Sequence, residues 1–326
     1  MVQMNLRFTE IPELEGTTDA YAGLNWSYSR REALEHCTRR YFFQYYASAL
    51  PSGDFKTKVN FLRGVKNRYL RTGEIMHLMI ATHFKKLKIG RNLSEDWLMK
   101  WAKDLLAEDR KYSLHIRNGG ASAHQQFPPT ILDEVLNGSR DDEVLLDHAE
   151  EQMLGAIHNF FRTPAFAEFR SLGASPEARI ECKLSLAGFP VPVTGKIDLA
   201  AVSGAHATIV DWKIGGSSDG GTESLQLATY GLWATTEFRT DEKNVRIVKA
   251  HLTTKEVVQF NVDLNAFVNA RVRILQDLER MVILHRYGKS GVIDAFTPNP
   301  QQGVCRLCPF RGVPRREGGR LCLKPI

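Results

Sequence analysis

Two aspartates interrupt apolar segments that otherwise have the composition of buried β-strands, and they constrain the fold more than any other feature. The segment from Gly195 to Gly216 reads GKIDLAAVSGAHATIVDWKIGG, and Asp198 and Asp211 each stand where an apolar residue is expected. If the turn is centred between residues 204 and 205, antiparallel partners have numbers that sum to 409, as 198 and 211 do. The two carboxylates are therefore predicted to face each other across a hairpin.

A divalent cation is the simplest reason for such a pair. Opposed carboxylates in half-buried strands repel, and a cation between them removes the repulsion. Oxygen ligands favour Mg²⁺ or Mn²⁺, which keep positions open for water and phosphate oxygens. Lys213 lies two residues beyond Asp211 and points to the same side, where its ammonium can orient an attacking water. The alternative is a surface hairpin facing water, which the apolar neighbours disfavour.

The order of predicted elements indicates an α/β fold with a mixed sheet and a mostly helical first half. We expect a mostly helical region over residues 1–170, an α/β core over 171–290 and a cysteine-bearing tail over 291–326. Helices are predicted over 29–46, 59–84 with a break or bend near Gly73, 93–109, 129–161, 222–235 and 264–287. Strands are predicted over 178–186, 191–202, 208–213, 245–253 and 257–262.

Positive charge is concentrated in one stretch of the chain, although the net charge is only +6. Between Phe55 and Arg91, ten Lys or Arg accompany a single acid, Glu74, and aromatic residues are interleaved with them. This pattern is typical of a nucleic-acid-binding surface, and a solvated helix face is the alternative. The candidates for nucleic-acid contact are Lys66, Arg68, Arg71, Lys85 and Lys86.

The composition is that of an ordinary folded protein and excludes disordered or fibrous classes, since 43% of the residues are hydrophobic. No run approaches the roughly 18 apolar residues that a membrane-spanning helix needs. We therefore expect a cytoplasmic protein without a membrane partner.

The five cysteines indicate a metal centre rather than a disulfide framework. Cys305 and Cys308 form a C-x-x-C pair, but two thiolates alone do not hold a metal. Cys37 and Cys322 would complete a set of four, which fits either zinc or an iron-sulfur cluster. Cys182 lies inside an apolar strand and is expected to be a buried free thiol.

Taken together, these motifs resemble the PD-(D/E)XK nuclease superfamily, and more narrowly its RecB-like branch. The resemblance covers nearly the whole chain and rests on four motifs in the family's order. They are an amino-terminal Ser29, Cys37 and Tyr41, the G-x-x-x-H of Gly73–His77, the G-x-x-D and D-x-K-x-G of Gly195–Gly215, and the Q-x-x-x-Y of Gln226–Tyr230.

The resemblance implies a restriction-endonuclease-like mixed sheet flanked by helices, and hydrolysis of phosphodiester bonds in DNA. It also implies a Mg²⁺ or Mn²⁺ site beside an active-site lysine. The implied metal ligands are His77, Asp198, Asp211 and the backbone carbonyl of Trp212, with Lys213 at the attacking water and with Gln226 and Tyr230 supporting the substrate or the lysine. Glu181, on the preceding strand, is a further candidate acid.

The cysteine arrangement is similar to that of the AddB-like and CRISPR-adaptation exonucleases of this branch, which hold an iron-sulfur cluster. They have one amino-terminal cysteine and three at the carboxy terminus, which here are Cys37, Cys305, Cys308 and Cys322. The family's last cysteine usually follows the pair by six positions, where this chain has Pro314. Either an insertion over residues 312–320 lengthens the loop, or the cluster is incomplete. We expect a 4Fe-4S cluster, with Zn²⁺ as the alternative.

The function that follows from the resemblance is a metal-dependent DNA exonuclease acting on single-stranded ends in repair, recombination or phage defence. Because the chain lacks the glycine pattern of a nucleotide-binding P-loop, a helicase would be a separate partner, within a repair or defence complex. The alternative is a nucleic-acid-binding scaffold subunit whose nuclease site is silent or depends on a partner.

Overall fold

The computed structural model describes residues 21–121, 129–138, 140–215, 221–261, 263–311 and 322, which place helices on both faces of one five-stranded sheet. The α-helices are α1 (Tyr28–His36), α2 (Thr38–Tyr46), α3 (Asp54–Arg63), α4 (Arg68–Leu87), α5 (Glu95–Arg117), α6 (Asp133–Asn137), α7 (Arg140–Arg162), α8 (Ala167–Ala174), α9 (Gly221–Phe238), α10 (Leu264–Lys289) and α11 (Gln302–Arg306). The strands are β1 (Val65–Lys66), β2 (Ile131–Leu132), β3 (Arg179–Leu186), β4 (Val193–Ser203), β5 (His206–Lys213), β6 (Val245–His251) and β7 (Glu256–Asn261).

The main sheet has the order β3-β4-β5-β6-β7 and is mixed, as the sequence predicts. Its strands pair antiparallel except for β5 and β6, which are parallel. Helix α9 connects these two, since parallel neighbours require a crossover rather than a tight turn. The α/β fold class with a helical first half is thus confirmed, and the five predicted strands lie at their expected places.

Three predicted helices are wrong in detail, and the one expected over residues 129–161 is divided into β2, α6 and α7. The helix expected over residues 29–46 is broken at Cys37, whose extended backbone (φ −166°, ψ 114°) separates α1 from α2. The break expected near Gly73 does not occur, because Gly73 lies inside α4. The chain instead turns between Gly64, which ends α3, and Asn67, whose side-chain oxygen accepts a hydrogen bond from the Leu70 amide at 3.0 Å and caps α4.

The sheet separates two hydrophobic cores. One core packs α1, α2, α9, α10 and the carboxy-terminal Phe310 against one face of the sheet. The other packs α4, α5, α7 and α8 against the opposite face, where Trp212 meets the rings of Phe160, Phe166 and Phe169. A sheet covered on both faces keeps its central strands dry, so a charged side chain on them needs a specific partner. Across the described ranges, no helix has both the length and the hydropathy of a membrane span.

One buried ion cluster joins the amino-terminal segment to α10. The Asp277 carboxylate accepts a hydrogen bond from the indole of Trp26 at 3.1 Å. It also lies 3.1 Å from Nε of Arg31 and 3.2 Å from Nε of Arg273. Burial raises the pKa of Asp277, while the indole and the two guanidinium groups oppose that rise. Asp277 therefore holds the buried Trp26 indole and Arg31, and it also contacts Arg273, which has a second acidic partner in Glu35.

We predict that Asp277→Ala destabilises the protein by about 3–5 kcal/mol, because it leaves the buried Arg31 guanidinium without its counter-charge. Urea denaturation followed by circular dichroism measures the change. The matched control is Asp241→Ala, which removes an exposed carboxylate 3.6 Å from Lys243 and should cost less than about 0.5 kcal/mol. Equal losses for the two variants would contradict the anchoring role of Asp277.

Candidate active site

The hairpin of β4 and β5 has the register that the sequence predicts. Leu199 pairs with Val210 and Ser203 pairs with His206, so partner numbers sum to 409. The turn passes through Gly204, whose φ of 61° suits a residue without a Cβ atom. Asp198 and Asp211 are therefore the next opposed positions of this hairpin.

Asp198 is held from two sides. Its Oδ2 accepts a hydrogen bond from the Trp212 amide at 2.9 Å, and its Oδ1 lies 3.3 Å from Nδ1 of His77 on α4. Burial opposes ionisation of Asp198, but His77 and the Trp212 amide outweigh it and lower the pKa of the carboxyl. The pKa of His77 is raised in turn, because the charge of Asp198 outweighs the effect of burial.

Asp211 is the less compensated member of the pair. Its side chain is buried, and Nζ of Lys213 lies 2.9 Å from its Oδ2 in an ion pair that lacks hydrogen-bond geometry. Burial and the charge of Asp198 raise the pKa of Asp211, although Lys213 opposes them. The pKa of Lys213 is raised as well, since Asp211 outweighs the cost of burying the ammonium. The group therefore contains a buried carboxylate whose negative charge a bound cation would stabilise.

Glu181 joins this group through an unusual backbone. Strand β3 pairs with β4 at Ile180 and Cys182, but the ladder is interrupted at Glu181, which would lie opposite Asp198. Glu181 has φ 54°, a left-handed conformation that costs an L-residue of its kind about 1–2 kcal/mol. Ligand atoms of His77, Glu181 and Asp198 all lie within 4.8 Å of one another. A nitrogen and two carboxylate oxygens at this spacing suit a divalent metal.

Gln226 and Tyr230 lie on one face of α9, above the same strands. The Gln226 amide donates to the Tyr230 hydroxyl at 2.8 Å, and that hydroxyl donates to the carbonyl oxygen of Lys196 at 3.1 Å. Both residues line a cavity of about 450 Å³ together with Lys213. Other side chains around the cavity include Trp26, Tyr28, Glu32, Thr194 and Lys196. The cavity gives a substrate access to Lys213 from the side opposite α4.

Sequence reasoning missed two charged residues at this site. Lys249 on β6 is buried and pairs in register with Asp211 on the neighbouring strand. Its ammonium lies 5.4 Å from the ring centroid of Phe260, and burial lowers its pKa while Asp211 opposes that effect. The signal was present, because a lone lysine in the apolar run VRIVKAH is as anomalous as the two aspartates. Lys196, which forms an ion pair with Glu181, carried no such signal.

The four candidate cysteine ligands come together where the tail packs against the junction of α1 and α2. Burial, followed by the proximity of Cys308, Cys37 and Cys305, raises the pKa of Cys322 to about 12. The sulfur of Cys37 accepts a backbone hydrogen bond from residue 299 at 3.5 Å, and the sulfur of Cys305 accepts one from residue 301 at 3.3 Å. The fifth cysteine, Cys182, lies on β3 and is half-buried. The predicted insertion over residues 312–320 lies outside the described residues.

The basic stretch is divided between internal ion pairs and exposed charges. The buried Arg68 contacts Glu134 at 3.0 Å, Arg71 contacts Asp109 at 2.5 Å, and Lys66 contacts Glu74 at 2.6 Å. Only the last two candidates, Lys85 and Lys86 in the final turn of α4, have no ion pair among those of the described residues. Arg68 and Arg71 therefore hold α4 against α6 and α5 and are not free surface charges.

One of the comparisons with known proteins agrees with the resemblance to the nuclease superfamily. A family model described as the PD-(D/E)XK nuclease superfamily matches residues 25–313. No curated protein matches the chain. A solved structure from Eubacterium rectale, provisionally assigned as an exonuclease, is 14% identical over 72% of this chain and 88% of its own, with a TM-score of 0.35. The structure of SSO0001 is 16% identical over 62% of this chain and 92% of its own, with a TM-score of 0.30.

We predict that Mn²⁺ raises the thermal unfolding midpoint of the protein, because a ligand at about a hundred times its dissociation constant adds about 2.7 kcal/mol of stability. Asp198→Asn should abolish this increase, and Glu181→Gln should reduce it. Differential scanning calorimetry with Mn²⁺ or EDTA measures the effect. The exposed Asp104→Asn on α5 is the control and should respond as the wild type does. A full Mn²⁺ response in Asp198→Asn would show that the metal binds elsewhere.

Proposed function

Because this chain belongs to the PD-(D/E)XK nuclease superfamily, we propose that it is a metal-dependent deoxyribonuclease of the RecB-like type. The observation that carries the proposal is the buried Asp211 and the largely buried Asp198 beside Lys213, and Lys213 lines an open cavity. Such a pair is costly to bury in a stable scaffold and is useful at a cation-dependent hydrolytic site. A nucleic-acid substrate follows from the superfamily.

The proposed metal is Mg²⁺ or Mn²⁺, held by Asp198, Asp211, His77 and the backbone carbonyl of Trp212, with Glu181 as an added ligand. When bound, the metal supplies charge stabilisation at the phosphate and lowers the pKa of water. His77 would have to be neutral to offer its ring nitrogen to a cation, and Asp198 raises the pKa of His77, so binding of the cation would be favoured at higher pH. The contact between Asp198 and His77 holds both side chains where they would face the cation.

Lys213 is proposed to orient the attacking water and to offset charge on the phosphate. Its ammonium lines the cavity and is kept protonated by Asp211. Gln226 and Tyr230 are proposed as positioning residues, since the Tyr230 hydroxyl is tied to the backbone of β4 and presents Gln226 to the cavity. Hydrogen-bond donors that are already in position stabilise the transition state without having to move during the reaction.

We predict that Asp211→Asn and Lys213→Met each lower DNA cleavage at least about a hundredfold, because each removes a charge at the reacting phosphate. The assay uses end-labelled single- and double-stranded DNA with Mg²⁺, Mn²⁺ or EDTA. A preference for free single-stranded ends is expected, and the label position gives the polarity. Asp104→Asn serves as the control for a change of charge far from the cavity.

The same assay tests the alternative of a binding scaffold. A scaffold binds DNA equally with and without Mg²⁺ and is indifferent to Asp211→Asn. Folded wild-type protein that binds DNA but cleaves none under any of these conditions would overturn the nuclease proposal. Cleavage that appears only on addition of a helicase or of a repair or defence complex would place the nuclease in such an assembly.

The four clustered cysteines are proposed to hold a 4Fe-4S cluster. The charges of Cys308, Cys37 and Cys305 all contribute to the raised pKa of Cys322, so the four thiols are close enough to share one centre. Backbone amides that donate to Cys37 and Cys305 also suit cluster ligation, in which such bonds are common. Free thiols and a cluster fit the reducing cytoplasm, where we propose that the protein acts.

We predict that anaerobically purified protein is brown and contains about four iron atoms per chain, following the four-iron cluster chemistry. Cys305→Ser should be insoluble or free of iron, because the ligands close a long loop between Cys37 and the tail. Asp211→Asn should remain folded and coloured while inactive. Cys182→Ser is the matched control and should keep its iron. Soluble, colourless and fully active Cys305→Ser would contradict the structural cluster, and zinc in place of iron would select the alternative metal.

A further inference from the structure

A second cavity of about 350 Å³ lies beside the active-site cavity and has no role in the chemistry described above. Ser29 on α1 lines both cavities, so they are neighbours. The second cavity lies between α1, α2, the start of α4 and the cysteine-bearing tail. Its lining includes Arg40, Tyr45, Arg63, Lys66, Asn67, Leu70, Glu74 and Leu307. Its volume falls in the range of roughly 300–1,000 Å³ that is typical of small-ligand sites.

The charges around this cavity leave two guanidinium groups available. Its two acids are already neutralised, because Glu74 pairs with Lys66 at 2.6 Å and Asp133 pairs with Arg311 at 2.6 Å. Arg40 and Arg63 take part in none of the ion pairs found within the described residues, and Arg63 is exposed. Two unpaired arginines on one cavity attract an anion, and their planar groups suit phosphate oxygens.

Helix α4 connects this cavity to the proposed metal site. Asn67, Leu70, Glu74 and His77 follow one another at spacings of three and four residues and therefore lie along one face. The first three line the second cavity, and His77 contacts Asp198. Since a helix rises about 1.5 Å per residue, Leu70 lies about 10 Å from His77 along the axis. A strand leaving the metal site can reach the second cavity within a few nucleotides.

Side chains that can contact a nucleic-acid base lie beside the positive charges of the second cavity. The half-buried ring of Tyr45 lines the cavity, and the exposed Leu70 lies at its edge. Tyr69, on the neighbouring position, is 55% exposed and its ring is covered on one side by the Arg68 guanidinium at 4.5 Å. Aromatic and cationic side chains in one groove are the features with which proteins bind single strands without sequence preference.

The cysteine-bearing tail forms part of the same cavity. Leu307 and Pro309, on either side of Cys308, line it, and the carbonyl of Leu307 accepts a bond from the Asn67 amide at 3.4 Å. Arg40 is close enough to Cys308 to oppose the rise of its pKa, which burial takes to about 11. The wall of the cavity therefore depends on how the cysteines are held.

We propose that this basic cavity binds a backbone phosphate of the DNA strand whose scissile phosphate lies at Asp198 and Asp211, through Arg40 and Arg63. The proposal rests on the nuclease function and specifies where the uncut part of the strand lies. It also gives the cysteine centre a task, which is to shape a substrate-binding wall rather than to take part in hydrolysis.

The test measures binding of a fluorescent twelve-nucleotide single strand to the full-length, cluster-loaded protein in EDTA, over a series of NaCl concentrations. Arg40→Gln/Arg63→Gln should weaken binding about tenfold, as expected for the loss of charge-assisted phosphate bonds. The logarithm of the association constant falls with the logarithm of the NaCl concentration, and the steepness of this dependence should decrease by about 0.7 for each lost phosphate contact. Lys103→Gln/Arg286→Gln, with the same charge change at exposed positions outside both cavities, should bind as the wild type does.

Two more variants and a shorter substrate show whether the loss of binding arises at this cavity. The single variant Arg63→Gln, at an exposed position, should fold normally and show part of the loss, and Arg40→Lys/Arg63→Lys should recover part of it. Cleavage of a dinucleotide with Mn²⁺ should be the same in wild type and variant, because so short a substrate cannot reach Arg40. The proposal would be overturned if the arginine variants were as defective on the dinucleotide as on the longer strand. It would also be overturned if their defect were confined to strands with a 5′-terminal phosphate.

Failure of this inference is distinguishable from failure of the proposed function. Wild-type protein that cleaves DNA while the arginine variants bind like the Lys103→Gln/Arg286→Gln control would refute only the second cavity. Wild-type protein that neither binds nor cleaves DNA would refute the nuclease function and this inference with it.

Discussion

The burial of two carboxylates side by side on β4 and β5 is the constraint on which the rest of the structure depends. Their charges repel, and the dry interior strengthens that repulsion. The protein offsets it with a hydrogen bond from the Trp212 amide, with His77 on α4 and with Lys213 on the same strand. These partners come from β5 and α4, so the hairpin register, the placement of α4 and the length of β5 must all be correct for the site to exist.

Much of this arrangement is predictable from the sequence because it follows from short-range geometry. The register of the β4–β5 hairpin depends on one turn, and the alternation of side chains along β5 places Lys213 beside Asp211. The spacing of Gln226 and Tyr230 likewise follows from helical periodicity. The interrupted helix at Cys37 and the left-handed Glu181 were not predictable, because tertiary contacts and not local propensity decide the backbone there.

Charge counting along the sequence was the least informative guide, for a physical reason. A lysine- and arginine-rich stretch describes a surface only when its charges have no acidic partners, and partners distant in sequence decide this. Glu134 and Asp109 bind Arg68 and Arg71 across 66 and 38 residues, which removes these cations from the surface. Arg63 lies inside that stretch and Arg40 lies outside it, yet both line a cavity and neither forms an ion pair among the described residues. The sequence shows how much charge is present, and the packing determines which part is available to a ligand.

The departures from ordinary strand chemistry lie side by side on β3 to β6, at the proposed metal site, and the packing on both faces of the sheet sustains them. Asp198, Asp211 and Lys249 occupy positions that favour apolar residues, and Glu181 adopts a backbone that favours glycine. None of these four residues stabilises the metal-free protein. The aromatic cluster around Trp212 and the core beneath α9 must therefore supply the folding stability that these residues cost. The cysteine-bearing tail adds a second constraint remote from the carboxylates, since it holds α1 and α2 against the end of the chain. The proposed catalytic residues and the cysteines that hold the tail therefore form separate centres. The second cavity, bordered by α4 and the tail, is where the two centres are coupled.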